Sequence, residues 1–154
     1  MEHVIRAFSE TDSQGVKDLI LSILTQEYPF DKSAYSDSDL DRIGEVYGGA
    51  RDSFFVSEDG GSVVGTVGIK EDEKDSALLR RLFVSPGHRR KGIGSGLLDR
   101  ALEHCRHKGF RRVIFRCTDR MRDAMRLCEK KGFREKESID MGGFKIHKLI
   151  LTLG

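Results

Sequence analysis

The segment Arg89-Arg90-Lys91-Gly92-Ile93-Gly94-Ser95-Gly96 constrains this chain more than any other. It follows a strand-like apolar run, Ala77–Val84, closed by Ser85-Pro86-Gly87. It leads into a stretch in which Ile93, Leu97, Leu98, Ala101, Leu102 and Cys105 share one helical face. Glycines let the backbone turn sharply and bring its N–H groups close to a ligand. The first N–H groups of a helix have no internal partner and lie at the positive end of its dipole. Strand, glycine turn and helix start together predict an anion site suited to a pyrophosphate, to which the three preceding cations add charge-assisted contacts. Two phosphate motifs are excluded. GxxxxGK(S/T) does not occur, and the spacing here is GxGxG late in the chain, not GxGxxG after a first strand. The remaining alternative for the turn is a helix start that holds no ligand.

The flanking sequence supplies the rest of an α/β fold. Val4–Phe8 reads as a first strand, and Asp12 as the cap of a helix carrying Val16, Leu19, Ile20, Ile23 and Leu24 that ends at Tyr28-Pro29. Leu40, Ile43, Val46 and Tyr47 suggest a second short helix. Ser53–Ser57 and Val63–Lys70 flank the hairpin signal Asp59-Gly60-Gly61. Gly65 and Gly68 inside the second of these strands point to a bulge or to the close approach of another chain or ligand. Gly109 ends the central helix, and Arg112–Cys117 is a buried strand candidate. A last helix runs from about Arg120 to Lys131, and Phe133–Ile139 and Phe144–Leu153 form a final strand pair. The order β-α-α-β-β-β-α-β-α-β-β predicts a mixed, mostly antiparallel, twisted sheet of about seven strands with helices on both faces, in one domain spanning residues 1–154.

Net charge is +2, but its distribution is uneven. Between Arg80 and Arg134 lie 17 Lys and Arg against 5 Asp and Glu, whereas the rest of the chain holds 10 basic and 20 acidic residues. A basic block of this size suits nucleic acid, an anionic membrane or a phosphate-rich small molecule, or else it is a solvated face. No apolar run approaches a membrane span and no signal-peptide core is present, so the expectation is a cytoplasmic protein. Three cysteines (Cys105, Cys117 and Cys128) without framework spacing fit a reducing compartment, and no metal-ligand motif occurs.

The string Arg89-x-x-Gly92-x-Gly94, preceded by LFVSP and followed by an amphipathic helix, resembles the acyl-CoA motif of the GNAT family of N-acetyltransferases. Val64-Gly65-Thr66-Val67-Gly68 is similar to that family's third strand, and Leu127-Cys128-Glu129-Lys130-Lys131-Gly132-Phe133 to its LYEKxGF segment. The resemblance runs from about Val4 to Leu153. It implies a splay between the fourth and fifth strands that admits the pantetheine arm. Backbone groups of Leu82, Phe83 and Val84 would pair with that arm, and Arg89, Arg90, Lys91, Gly92, Ile93, Gly94, Ser95 and Gly96 would hold the pyrophosphate. It implies direct acetyl transfer from acetyl-CoA to a primary amine of a small molecule or peptide, with no metal and no nucleic acid or membrane partner, by a monomer or homodimer.

The chain departs from the family pattern at three positions. Cys128 stands where a tyrosine proton donor is usual, Met121 where an asparagine is common, and Leu78 near the place of a glutamate base. That leaves Cys128 as candidate acid and Glu71 as candidate base, with Tyr28, Tyr35 and His88 behind them. The acidic stretch Glu27, Asp31, Asp37, Asp39 and Asp41 suggests a wall that attracts a cationic amine. The departures also leave open a non-catalytic acyl-CoA-binding module. Nucleic-acid binding through the basic block is a third reading, although no basic strand is rich in base-stacking aromatics.

Overall fold

The computed structural model describes residues 4–28 and 38–154. Its elements are β1 (Val4–Ala7), α1 (Ser13–Glu27), α2 (Ile43–Val46), β2 (Ser53–Asp59), β3 (Ser62–Glu71), β4 (Ser76–Val84), α3 (Ile93–His107), β5 (Arg112–Thr118), α4 (Arg122–Lys130), β6 (Arg134–Asp140) and β7 (Lys145–Thr152), with short 3₁₀ turns at Glu10–Asp12 and Pro86–His88. The seven strands form one sheet in the order β1-β2-β3-β4-β5-β7-β6. Every pairing is antiparallel except β4 with β5, the pair joined by the α3 crossover. This is the expected mixed α/β sheet.

The two faces are covered by different helices. Gly68 of β3 lies under Tyr47 and Phe54, on the α1–α2 side, whereas Gly65 lies under Leu97 and Ile93 of α3. Period-two alternation puts neighbouring side chains on opposite faces, and a register shift in the β2–β3 hairpin at Ser57/Glu58 resets it. In α1, Val16, Ile20, Ile23 and Leu24 are buried, at the spacing of one helical stripe. In α3 the six apolar residues picked out by periodicity are all buried. Gly109 and Gly132 take positive φ just beyond α3 and α4, where a left-handed residue ends a helix. Asp12 stands at the N-cap position of α1, as expected, but its side chain makes no capping bond to that helix. Its carboxylate turns back to the Ser9 N–H at 2.9 Å and to Arg6 at 2.8 Å. Among the described residues, no helix is long and apolar enough to cross a membrane.

Candidate active site

β4 and β5 pair from Ser76↔Arg112 to Leu79↔Phe115 and then part, although β4 continues to Val84 and β5 to Thr118. The cause lies on the other edge of β4. Thr66 pairs with Phe83 and Gly68 with Arg80, so Arg81 and Leu82 together oppose Val67. This is a bulge, and it bends the strand away from β5. Arg81 sits in the left-handed region at φ 56°, a cost a non-glycine residue bears only where its surroundings hold it.

The hold on Arg81 is visible. The Thr66 hydroxyl donates to the Arg81 carbonyl at 2.7 Å. The Arg81 guanidinium forks onto Asp39, its Nε at 3.1 Å from Oδ2, and the Tyr47 hydroxyl donates to the same carboxylate at 2.7 Å. Arg81 and Asp39 are both 5% exposed. Burial pushes the Asp39 carboxyl upward, but the bonds from Arg81 outweigh it and hold the group below the usual carboxylate range. Burial likewise raises the Tyr47 phenol, keeping it a donor.

The parted strands enclose a cleft of about 330 Å³. Its lining includes Arg80, Leu82 and Phe83 from β4, Arg116, Cys117 and Thr118 from β5, and Met121 ahead of α4. At the open end, Val84 leads through Ser85–Lys91 to α3. Gly92 precedes the helix at φ 81°, and the first bond closing the helix runs from the Gly96 N–H to the Gly92 carbonyl at 3.0 Å. The N–H groups of Ile93, Gly94 and Ser95 therefore precede the helix's own hydrogen-bond ladder.

The expected phosphate cations divide into two kinds. Arg89 turns inward, forking onto Glu27 at 2.7 and 2.8 Å while its Nε donates to the Val84 carbonyl at 3.0 Å. Arg90, at φ 64°, and Lys91 are exposed and have no carboxylate partner among the described residues. The expected backbone contributors Leu82, Phe83 and Val84 lie beyond the last β4–β5 pair, as the splay requires.

The two catalytic candidates are not brought to the cleft. Glu71 pairs with Ala77 near the start of β4, at the end of the sheet where β4 and β5 still hold together, and its carboxylate meets Arg51 at 3.0 Å. Cys128 is fully buried in the core, and desolvation pushes its thiol upward, so it is held protonated away from the lining. The cysteine that does line the cleft is Cys117, its thiol pushed up to about 12 by burial. His88 pairs with Asp59 at 3.0 Å, Tyr28 stands at the C-terminal cap of α1, and Tyr35 lies outside the described residues. The acidic wall is also neutralised where it is described. Glu27 pairs with Arg89, Asp39 with Arg81, and Asp41 with Lys17 at 2.5 Å, while Asp31 and Asp37 lie outside the described residues. Sequence reasoning missed Arg80 and Arg116. Strand alternation could have found them, since each is two residues beyond a paired apolar position, Leu78 and Ile114.

The family model of the acetyltransferase (GNAT) family matches residues 17–133. The chain is 30% identical over 136 residues to the uncharacterized N-acetyltransferase YjgM of Escherichia coli K12, covering 84% of this chain and 81% of that one. It is 33% identical over 104 residues to N-acetyltransferase 8 of Rattus norvegicus, where it spans 64% of this chain and 47% of that relative. In fold it is similar to a GNAT-family acetyltransferase of Staphylococcus aureus Mu50, with TM-score 0.87, 21% identity and coverage of 99% of this chain and 100% of that one. It is also similar to Salmonella typhimurium yncA, solved with its cofactor acetyl-CoA, with TM-score 0.77, 19% identity and coverage of 100% and 95%. The chain belongs to the GNAT family of acyl-CoA-dependent acetyltransferases.

Proposed function

We propose that this acetyltransferase moves an acetyl group directly from acetyl-CoA to a primary amine in a ternary complex. The observation that carries the reading is the parting of β4 from β5 next to an uncapped glycine-rich helix start. The free edge of β4 at Leu82, Phe83 and Val84 suits the amides of a pantetheine arm, added as a strand would be. The N–H groups of Ile93, Gly94 and Ser95, with Arg90 and Lys91, suit the pyrophosphate. In this reading Arg89 is a positioning residue. Through Glu27 and the Val84 carbonyl it ties the turn to α1 and to the end of β4. The acetyl-CoA bound in the yncA structure supports the choice of cofactor.

Acetyl-CoA would supply a thioester whose carbonyl a neutral amine attacks; the C–N bond forms as the C–S bond breaks, and the proton the nitrogen gives up ends on the coenzyme A thiolate, directly or through water. The protein's part is to align the two reactants and to present backbone N–H groups at the Arg81 bulge to the developing oxyanion. Among the described residues lining the cleft none is a carboxylate or an imidazole. Arg80 and Arg116 instead disfavour an ammonium ion beside them, so the amine sheds its proton to water on entry. We read residues 1–154 as one cytoplasmic domain carrying this whole site. Thiol release from acetyl-CoA, followed over a panel of amines with product mass measured, tests the reading. A product heavier than its amine by one acetyl group is the expected result. Acetyl-CoA binding with no turnover on any amine would instead favour the non-catalytic module.

A further inference from the structure

Two arginines flank the cleft at the point where the strands part. The last paired rung is Leu79↔Phe115, and the next residue on each strand is an arginine, Arg80 on β4 and Arg116 on β5. The rung before it, Leu78↔Ile114, shows that both arginines belong to the same face by alternation. That face is the α1–α2 side, since the Arg80 guanidinium carbon lies 5.9 Å from the centre of the Tyr47 ring. The bulge explains why two successive arginines of β4 turn this way: Arg81 reaches Asp39 there, and Arg80 stands beside it.

Neither flanking arginine has a carboxylate partner among the described residues, and both line the cleft. Asp39, which feels the Arg80 charge, is already committed to Arg81 and Tyr47. Leu78, Ile114 and Ile146 complete this part of the lining with apolar surface. Four residue steps along β4, roughly 13 Å of strand, separate Arg80 from Val84 and the turn that leads to α3. The two arginines are therefore too far along the strand to share a pyrophosphate held at the helix start. A cationic amine would meet like charge here. An amine that also carries a carboxylate would meet two forked donors over an apolar floor.

We propose that the acceptor is a primary amine bearing a carboxylate and an apolar side chain, and that Arg80 and Arg116 are the specificity-determining residues that bind its carboxylate. The proposal rests on the acetyl-transfer reading of the same cleft. Its test compares leucine, leucinamide, leucine methyl ester and spermidine as acceptors at saturating acetyl-CoA. In parallel, N-acetyl-leucine and N-acetyl-leucinamide are titrated by calorimetry into the protein loaded with coenzyme A.

The expected result is a kcat/KM for leucine, or an affinity for N-acetyl-leucine, at least tenfold above that of its amide. Arg116→Met and Arg80→Met should each pull that ratio toward one, with the KM for acetyl-CoA moving less than the ratio does. An acid-to-amide ratio near one in both assays overturns the proposal, as does a preference for spermidine. So do arginine variants that change the acetyl-CoA KM and leave the ratio alone. If acetyl-CoA neither binds nor reacts, the acetyl-transfer reading itself has failed, a result distinct from a flat ratio with acetyl-CoA bound.

Discussion

The guanidinium of Arg81 and the carboxylate of Asp39 form a buried pair that joins a strained strand residue to the segment ahead of α2. The pair fixes the bulge that parts β4 from β5, so it links a charge contact to the shape of the cleft. Removing the Asp39 carboxylate takes the main counter-charge from a buried guanidinium, and breaking a buried pair in this way costs about 3–5 kcal/mol. Asp39→Ala is expected to lower Tm by roughly 10 °C, given about 2–4 °C per kcal/mol for a domain of this size. It should also reduce acetyl transfer well beyond the unfolded fraction at the assay temperature, because the bulge relaxes. Differential scanning calorimetry beside steady-state kinetics checks both. A variant of wild-type kcat and lowered Tm would show that the pair supports the fold and not the cleft.

Asp52 gives a pH signature. Its carboxylate accepts the Glu71 N–H at 2.7 Å, the Gly49 N–H at 3.0 Å and the Lys70 ammonium at 2.9 Å. Burial pushes its pKa upward, but the Glu71 amide leads the bonds that hold it below the ordinary value. A carboxyl depressed by folding contributes stability that is complete above its unfolded pKa, and that contribution is lost as pH falls through the folded value. Stability should therefore decline below about pH 4, where an unfolded Asp begins to take up its proton. Asp52→Asn should flatten that acid limb while costing about 1–2 kcal/mol at pH 7. Urea melts from pH 7 down to pH 3 measure the two slopes.

Gly65 sits where α3 crosses β3. A Cβ there would lie 2.8 Å from Leu97 Cδ1, 3.2 Å from Ile93 Cγ2 and 3.4 Å from the Phe83 carbonyl. Both side chains are in the core, and Ile93 opens the helix whose first N–H groups face the anion site. Gly65→Ala should cost about 1–3 kcal/mol through overpacking. It should also weaken acetyl-CoA binding by shifting the start of α3. A calorimetric titration of acetyl-CoA separates the two effects, and unchanged affinity would place the strain elsewhere in the sheet.

The elements that sequence revealed best are those set by local chemistry. The glycine turn, the apolar stripe of α3 and the crossover between β4 and β5 follow from short-range pattern, and all three stand in the fold. What sequence hid is pairing across distance. Asp39 and Arg81 are 42 residues apart, and Glu27 and Arg89 are 62 apart, so an acidic loop and a basic block looked like two opposed surfaces. Folding cancels part of each against the other. Cys128 shows the same limit, since a residue that matches a motif position by spacing was free to be buried by its neighbours.

The three cations ahead of α3 should behave differently from one another. Arg89 is tied to Glu27 and to the Val84 carbonyl, whereas Arg90 and Lys91 are exposed. Arg89→Ala removes a partly exposed pair, worth about 1 kcal/mol or less, and frees the turn from α1. Its Tm should fall by a few degrees, and its acetyl-CoA affinity should fall by a factor that salt leaves largely intact. The double variant Arg90→Glu with Lys91→Glu removes no side-chain hydrogen bond or ion pair among the described residues, so its Tm in the absence of ligand should stay near that of the parent. Its acetyl-CoA affinity should drop by at least tenfold at low salt. The gap should narrow as ionic strength rises, because exposed charges are screened over about 10 Å at 0.1 M. Thermal shift and calorimetric titration at 20 and 300 mM salt decide the matter. Equal salt dependence in the two variants would show that inward and outward cations act on the cofactor in the same way.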